Sequence, residues 1–206
     1  LQTAMSQEYN LNFSGGNERG KYYAGLGYYD AEGLGYGTYY TRYSFAFNGS
    51  YKISDWLESS SVFNFNRANW LSEPLRSLRG DSYMFGRVVT TPPTTRMEDE
   101  EGNMLLGIST ADANFRYQTD KFYRDNESTK FNMTQTLEAT LFKGFKVKGT
   151  MAWSYSDQLY EGFDKDYYQN QAETSINTSR YTKSTFKRTF NQTYNVVAMY
   201  DGQFGD

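Results

Sequence analysis

Hydrophobic and polar residues alternate along seven stretches of the chain. The clearest is Thr129–Phe142, in which Phe131, Met133, Leu137, Ala139 and Leu141 alternate with Asn132, Thr134, Thr136, Glu138 and Thr140. A period of two residues is typical of a β-strand, because successive side chains point to opposite faces. The pattern predicts strands at Glu8–Ser14, Lys21–Tyr29, Tyr39–Lys52, Leu57–Ala68, Thr129–Phe142, Phe145–Ser156 and Thr189–Tyr200. We therefore expect an all-β fold.

The third stretch, Tyr39–Lys52, shows what each face of the predicted sheet carries. One face holds Tyr43, Phe45, Phe47, Gly49 and Tyr51, and the other holds Arg42, Ser44, Asn48, Ser50 and Lys52. A sheet with one face on a protein core and the other in water has this pattern. The wall of a membrane barrel, with lipid outside and water inside, has it as well.

Short and long connections alternate between the predicted strands. Tight turns are expected at Gly15–Gly20, Ile53–Trp56 and Lys143–Gly144, and a medium connection at Asp30–Thr38. Long loops are expected at about residues 69–126 and 157–188. This order predicts an antiparallel up-and-down meander with its short turns at one end, as in outer-membrane barrels, where the long loops are extracellular. Because single-chain barrels have at least eight strands, we expect a part of a larger transmembrane β-barrel.

Composition narrows the function classes. Hydrophobic residues make up 38% of the 206 residues and the mean hydropathy is -0.79. No apolar run approaches the roughly 20 residues of a membrane-spanning helix. Aromatic residues reach 18%, with 20 Tyr against 3 Trp, which suits interfacial girdles and also sugar-binding surfaces. The net charge of -3 and pI of about 5.2 give no reason to expect nucleic acid as a partner.

The chain contains neither cysteine nor histidine. Disulfides, thiolate and imidazole metal sites, and catalysis by these two residue types are therefore excluded. No pair of carboxylates stands out as an acid and a base, so we expect no enzyme, no cofactor and no metal. The acidic run Glu98–Glu101 lacks the spacing of a calcium loop and is interpreted as a solvated charge cluster.

Several strings in the first four predicted strands carry a family resemblance. They are Gln7–Glu18, with SGGNE at its end, then Lys21–Ala24, Leu26–Gly33, Tyr39–Phe45 with RYSF, and Lys52–Leu57 with the ISDWL turn. These strings resemble the barrel of SusC/RagA-type TonB-dependent transporters of Bacteroidetes. The later strands, Phe131–Tyr155 and Asn191–Tyr200, resemble that family in their hairpin pattern only.

The resemblance implies a 22-stranded barrel with an N-terminal plug, located in the bacterial outer membrane. It implies import of a nutrient, an oligosaccharide or a peptide, powered by TonB and assisted by a SusD-like surface lipoprotein. Neither a plug nor a TonB box is recognisable in this chain, so TonB is expected to act through a region outside it. The start at Leu1–Ala4 has no basic signal-peptide region. We expect a processed chain or a piece of a longer one.

Two sets of residues are candidates for substrate contact. Aromatic residues of the loops, whose rings stack on sugars, are Trp70, Tyr83, Phe85, Tyr160, Tyr167 and Tyr168. Polar residues predicted to face a barrel lumen are Arg42, Asn48, Lys52, Glu58, Asn64, Asn66, Glu138 and Lys148. The alternatives are an interfacial girdle or loop packing for the first set, and hydrogen bonds to neighbours and plug for the second.

A soluble β-sandwich module that binds carbohydrate is the alternative from another functional class. It would bury the same apolar faces against a second sheet, whereas a transporter would expose them to lipid. The surroundings of the Phe131, Met133, Leu137 and Leu141 side chains therefore discriminate between the two.

Overall fold

The computed structural model describes residues 2–35, 37–71, 91–106, 114, 117, 121–178 and 180–202. The strands are β1 (Ser6–Gly16), β2 (Gly20–Glu32), β3 (Tyr39–Ser54), β4 (Leu57–Leu71), β5 (Phe122–Phe142), β6 (Phe145–Asp164), β7 (Tyr167–Tyr168), β8 (Ile176–Asn177) and β9 (Tyr181–Tyr200). The described part of the chain has no helix. The described residues therefore include no helix that is long and apolar enough to cross a membrane.

Seven strands form one antiparallel sheet in the order β1-β2-β3-β4-β5-β6-β9. Each long strand pairs with the next long strand of the sequence, so the sheet is an up-and-down meander. The short strands β7 and β8 form a separate hairpin inside the connection between β6 and β9. The predicted all-β, antiparallel up-and-down architecture is confirmed.

The register aligns like side chains across the whole sheet, because directly paired residues of an antiparallel sheet lie on the same face. One continuous row is Leu11, Leu26, Phe45, Phe65, Phe131, Tyr155 and Phe190. The next row is Asn12, Gly25, Ala46, Asn64, Asn132, Ser154 and Asn191. We call the first side the apolar face and the second the polar face.

The short turns lie together at one end of the sheet, as predicted. They contain residues 17–19, 55–56 and 143–144. Each turn is hydrogen-bonded to the next hairpin, from Lys52 N to Arg19 O, Thr140 N to Trp56 O, and Asp201 N to Gly144 O. Gly144 has a φ of 82°, a left-handed conformation that a glycine adopts without strain.

The strands are longer than the alternation of the sequence indicated. β5 begins at Phe122, β6 ends at Asp164 and β9 begins at Tyr181, so the predicted loop bounds 69–126 and 157–188 are wrong. The connections are residues 72–121 and 165–180. The physical reason is that backbone pairing continues where both faces are polar, as at Asp125 to Ser128, and the apolar signal has ended there.

No second layer encloses the apolar face in the described residues. Leu11 is 53% exposed and Leu26 is 49% exposed, and Tyr43, Leu137 and Val196 are also exposed. Among the described residues, the buried apolar ones are Phe122 and Tyr167, with Tyr117 packed against them, beside the long connections. The described part of the chain therefore lacks the two stacked sheets of a β-sandwich.

Candidate functional site

A recess of about 540 Å³ lies on the polar face towards the long connections. Its lining comes from four adjacent strands: Tyr40 and Arg42 of β3, Asn66, Ala68 and Trp70 of β4, Ser128 and Lys130 of β5, and Gln158 of β6. The register brings them together, because Tyr40 pairs with Trp70, and Asn66 pairs with Lys130. Between these two pairs, one row of directly paired residues crosses the middle of the recess, from Arg42 through Ala68 and Ser128 to Gln158.

Arg42 is half-buried in the wall of this recess. Its guanidinium carbon lies 5.7 Å from the centre of the Tyr29 ring, a cation–π contact. Its Nε is buried and has no hydrogen-bond partner in the described structure. The same holds for the buried hydroxyl of Ser128, which lies two strands away in the same row. Both donors therefore retain unused hydrogen-bonding capacity.

Lys130 supplies a second positive charge and is exposed at the surface of the recess. The ion pairs seen between described residues do not include Lys130 or Arg42. The other described lining side chains are amides, hydroxyls, aromatic rings and one methyl group, so no carboxylate occurs among the described lining residues. The described lining of the recess therefore carries net positive charge.

Two aromatic residues predicted from the sequence lie at or next to the recess. Trp70 lines it, and the row through Trp70 continues to Asn126 and Tyr160. The Asn126 amide donates a hydrogen bond to the Trp70 carbonyl at 3.2 Å. The Lys183 ammonium lies 5.8 Å from the centre of the Tyr160 ring. Trp70 and Tyr160 are thus two strands apart on the polar face.

The other predicted aromatic residues are placed elsewhere. Tyr167 is only 7% exposed and packs edge-to-face on Phe122, with ring centres 5.4 Å apart. Its hydroxyl accepts a hydrogen bond from the Asn177 amide at 3.1 Å. Tyr167 is therefore part of a small loop core, and Tyr168 lies beside it opposite Ile176. Tyr83 and Phe85 lie outside the described residues.

The predicted lumen residues all lie on the polar face. Asn48, Asn64 and Asn66 lie along its centre, and Lys52, Glu58, Glu138 and Lys148 form one row at the short-turn end. Glu138 pairs there with the Lys146 ammonium at 2.9 Å. The row of Lys52, Glu58, Glu138 and Lys148 thus has two positive and two negative charges, whereas the described lining of the recess has positive charges only.

Asp99 organises the acidic run that begins at Glu98. Its Oδ1 accepts hydrogen bonds from the backbone N–H groups of Glu101 and Asn103 at 2.9 and 2.8 Å. The Asn103 amide also donates to its Oδ2 at 2.9 Å. These bonds favour the charged form and hold the pKa of Asp99 below its usual value. No group of three acidic residues able to hold a metal ion occurs in the described parts of the chain.

Aromatic side chains on the apolar face form a nearly continuous ladder. Ring centres lie 5.1 Å apart for Tyr28 and Tyr43, 6.2 Å for Phe63 and Phe131, and 5.3 Å for Phe131 and Tyr155. Ion pairs lie at the loop-ward limit of this ladder. Arg67 contacts Glu127 at 2.9 Å, and Arg188 contacts Asp157 through two hydrogen bonds of 2.8 and 2.9 Å. The apolar face is therefore a band with a charged border.

Comparison with known proteins gives structural matches. No protein-family model matches the chain, and no curated protein matches its sequence. A structure of the RagAB peptide importer in its closed-closed state matches with a TM-score of 0.77 and 22% identity, over 98% of this chain. The open-open state of RagAB matches with a TM-score of 0.77 and 22% identity, over 95% of this chain. A further structure of the RagAB peptide transporter matches with a TM-score of 0.76 and 21% identity.

These matches define the fold class of the chain. It has the fold of a segment of those transporter chains, whose barrel architecture agrees with the up-and-down sheet. The chain spans 22% of the length of the first matched chain and 23% of that of the third. Its matched neighbours are transporters, not enzymes.

Proposed function

We propose that this chain forms part of the wall of a SusC/RagA-type transporter in the bacterial outer membrane. The observation that carries the proposal is the difference between the two faces of one long-stranded sheet. Its apolar face stays exposed along an aromatic band, and its polar face carries amides, hydroxyls and charges. Lipid on one side and water on the other is the environment in which such a sheet is stable.

The orientation of the apolar band supports this proposal. On β1 the band is centred on Leu11, whose row reaches Phe190 on β9. On β9 the band extends from Phe190 to Tyr200, so its centre lies about five residues, or ~16 Å, beyond that row. β1 and β9 are six strand spacings apart in the sheet, which is about 29 Å. An offset of ~16 Å over this distance means that the band slopes by roughly 30° relative to the rows of paired residues. Strands in membrane barrels are tilted by similar angles, about 35–45°.

The edges of the sheet support a larger barrel. In the described structure, β1 and β9 each pair with a neighbour on one side only, and all residues of β9 are exposed. Unpaired backbone groups are very costly in lipid, so a membrane sheet has to close. We propose that further strands continue both edges into a barrel of about 22 strands.

We propose that the transported substrate is a nutrient, either a peptide or an oligosaccharide. The solved neighbours are peptide importers, which favours a peptide. A SusD-like surface lipoprotein is proposed as partner, and TonB as the energy source through a region outside this chain. The long connections after β4 and β6 are proposed as extracellular loops, with the short turns in the periplasm.

The test uses the full-length protein that contains this chain, expressed in a Bacteroidetes host. We expect it to fractionate with the outer membrane, to require detergent for extraction, and to support uptake of labelled oligopeptides or oligosaccharides. Uptake should stop when TonB is deleted. A protein that stays in the aqueous fraction without detergent would contradict the proposal.

A further inference from the structure

We propose that the recess between β3 and β6 binds a carboxylate group of the imported solute, an inference that rests on the proposed function. The described residues that line the recess include Arg42 and Lys130 and no acidic side chain. The carboxylate could belong to the C-terminus of a peptide or to an acidic sugar. The shared chemistry is a planar anion that accepts hydrogen bonds from Arg and Lys.

Charge is sorted between the two faces in the loop-ward half of the sheet. In this half of the sheet, the cations on the polar face are Arg42, Arg124, Lys130, Lys183 and Lys187. Its carboxylates are Asp164, which is paired with Arg124, and Glu8 on β1, which accepts a hydrogen bond from Asn10. The apolar side carries the carboxylates Asp30, Asp125, Glu127, Asp157 and Glu161, and its cations Arg67 and Arg188 are paired with Glu127 and Asp157. An anion is therefore attracted to the polar face in this half of the sheet.

The row through Arg42 gives this attraction a specific place. Arg42 and Ser128 flank Ala68, whose side chain is a single methyl group and leaves open space between them. Arg42 Nε and the Ser128 hydroxyl have no hydrogen-bond partner in the described structure. Buried donors without partners are unfavourable. A carboxylate seated over Ala68 would lie between these two donors and offer each of them an acceptor oxygen.

The aromatic side of the recess accommodates the rest of the solute. Tyr40 and Trp70 are directly paired and form the wall on the side of the long connections, with Tyr160 further along the same row. Large rings with a polar group bind apolar side chains or sugar rings by stacking. The recess is therefore complementary to a solute that has an apolar group next to a carboxylate.

The experiment measures binding of labelled solutes to the full-length transporter in detergent. One arm compares a short neutral peptide with a free C-terminus and the same peptide as its C-terminal amide. The other arm compares a uronic-acid oligosaccharide with its neutral counterpart. We expect the wild type to prefer the carboxylate form by about tenfold in at least one arm, and the responding arm identifies its source.

The variants Arg42→Gln and Lys130→Gln should each reduce that preference several-fold, with the loss falling mainly on the affinity for the carboxylate form. Lys143→Gln, in the short turn at the opposite end, removes the same charge and should keep the full preference. If Arg42→Gln fails to assemble, Lys130→Gln decides, because that side chain is exposed and makes no ion pair in the described structure.

Equal affinity of the wild type for both forms in both arms would overturn the carboxylate site. So would a preference that survives both substitutions. In either case, a protein that inserts into the membrane and still binds neutral solutes would remain consistent with the proposed transporter function. Failure of the protein to enter the outer membrane would instead contradict the proposed function.

Discussion

Arg124 and Asp164 form a buried ion pair at the loop-ward end of the hairpin formed by β5 and β6. The Arg124 Nη2 lies 2.5 Å from the Asp164 Oδ1, and the two side chains are 4% and 6% exposed. The Arg124 guanidinium also donates to the carbonyl groups of Tyr123 and Phe163. Burial makes such a pair costly to break, because the remaining charge loses its partner and cannot be hydrated.

Arg124→Ala should therefore destabilise the loop-ward end of this hairpin by about 3–5 kcal/mol. We expect faster amide exchange in residues 122–126 and 162–164, with the strand centres unchanged, measured by hydrogen–deuterium exchange. Arg180→Ala is the control, since it removes an ion pair with Asp166 in which Arg180 is exposed. Exposed pairs contribute about 0–1 kcal/mol. Equal effects of both substitutions would show that the burial of Arg124 has no energetic importance.

Leu137→Arg tests which face meets lipid. Leu137 lies midway along the apolar band of β5, and a cation there should cost roughly 2–4 kcal/mol in a bilayer. We expect a loss of assembled full-length protein in outer membranes, measured by heat-modifiable migration on gels.

The matched control is Thr136→Arg, one residue away on the polar face. Thr136 pairs with Ser60 and Thr150, whose small side chains leave room for the longer one. Assembly of this variant should be close to that of the wild type. Normal assembly of Leu137→Arg would be incompatible with lipid at the apolar face.

Gly144→Ala should destabilise the turn between β5 and β6. The residue has a φ of 82°, and an added Cβ would collide with the Asp201 carbonyl oxygen. We expect a cost of roughly 1–3 kcal/mol, measured by denaturant unfolding in detergent. Gly149→Ala is the control in the adjacent strand, because a Cβ there has no atom within 4 Å. Its stability should change by less than about 1 kcal/mol.

The turn around Asp99 should depend on pH. Hydrogen bonds from Asn103 and from backbone N–H groups lower the pKa of Asp99 from its ordinary value of 3.8. A lowered pKa means that this stabilisation is present above pH 3.8 and is lost as the pH falls through the lower folded-state value. The protection of the Glu101 and Asn103 amides against exchange, relative to their intrinsic rates and followed from pH 6 to pH 2, should therefore be lost only at the acidic end. Asp99→Asn should remove that pH dependence.

The residue pattern alone determined the central part of each long strand and the face on which each of its side chains lies. Phe131 and Met133 against Asn132 and Thr134 predicted both, because a period of two residues follows from the geometry of an extended chain. The alternation of connection lengths likewise predicted the meander with its short turns at one end. These properties are local, so a single sequence carries them.

Tertiary structure alone decided which distant residues meet. Strand pairing continues through the polar stretches near Asp125 and Glu161, where alternation carries no signal, and this placed Arg124 beside Asp164. The register between strands brought Arg42, Ser128 and Lys130 into one recess. The fold also placed Tyr167 in a small loop core with Phe122, whereas Trp70 lines the recess. Register depends on backbone pairing between segments far apart in the chain, and that pairing is a property of the folded sheet.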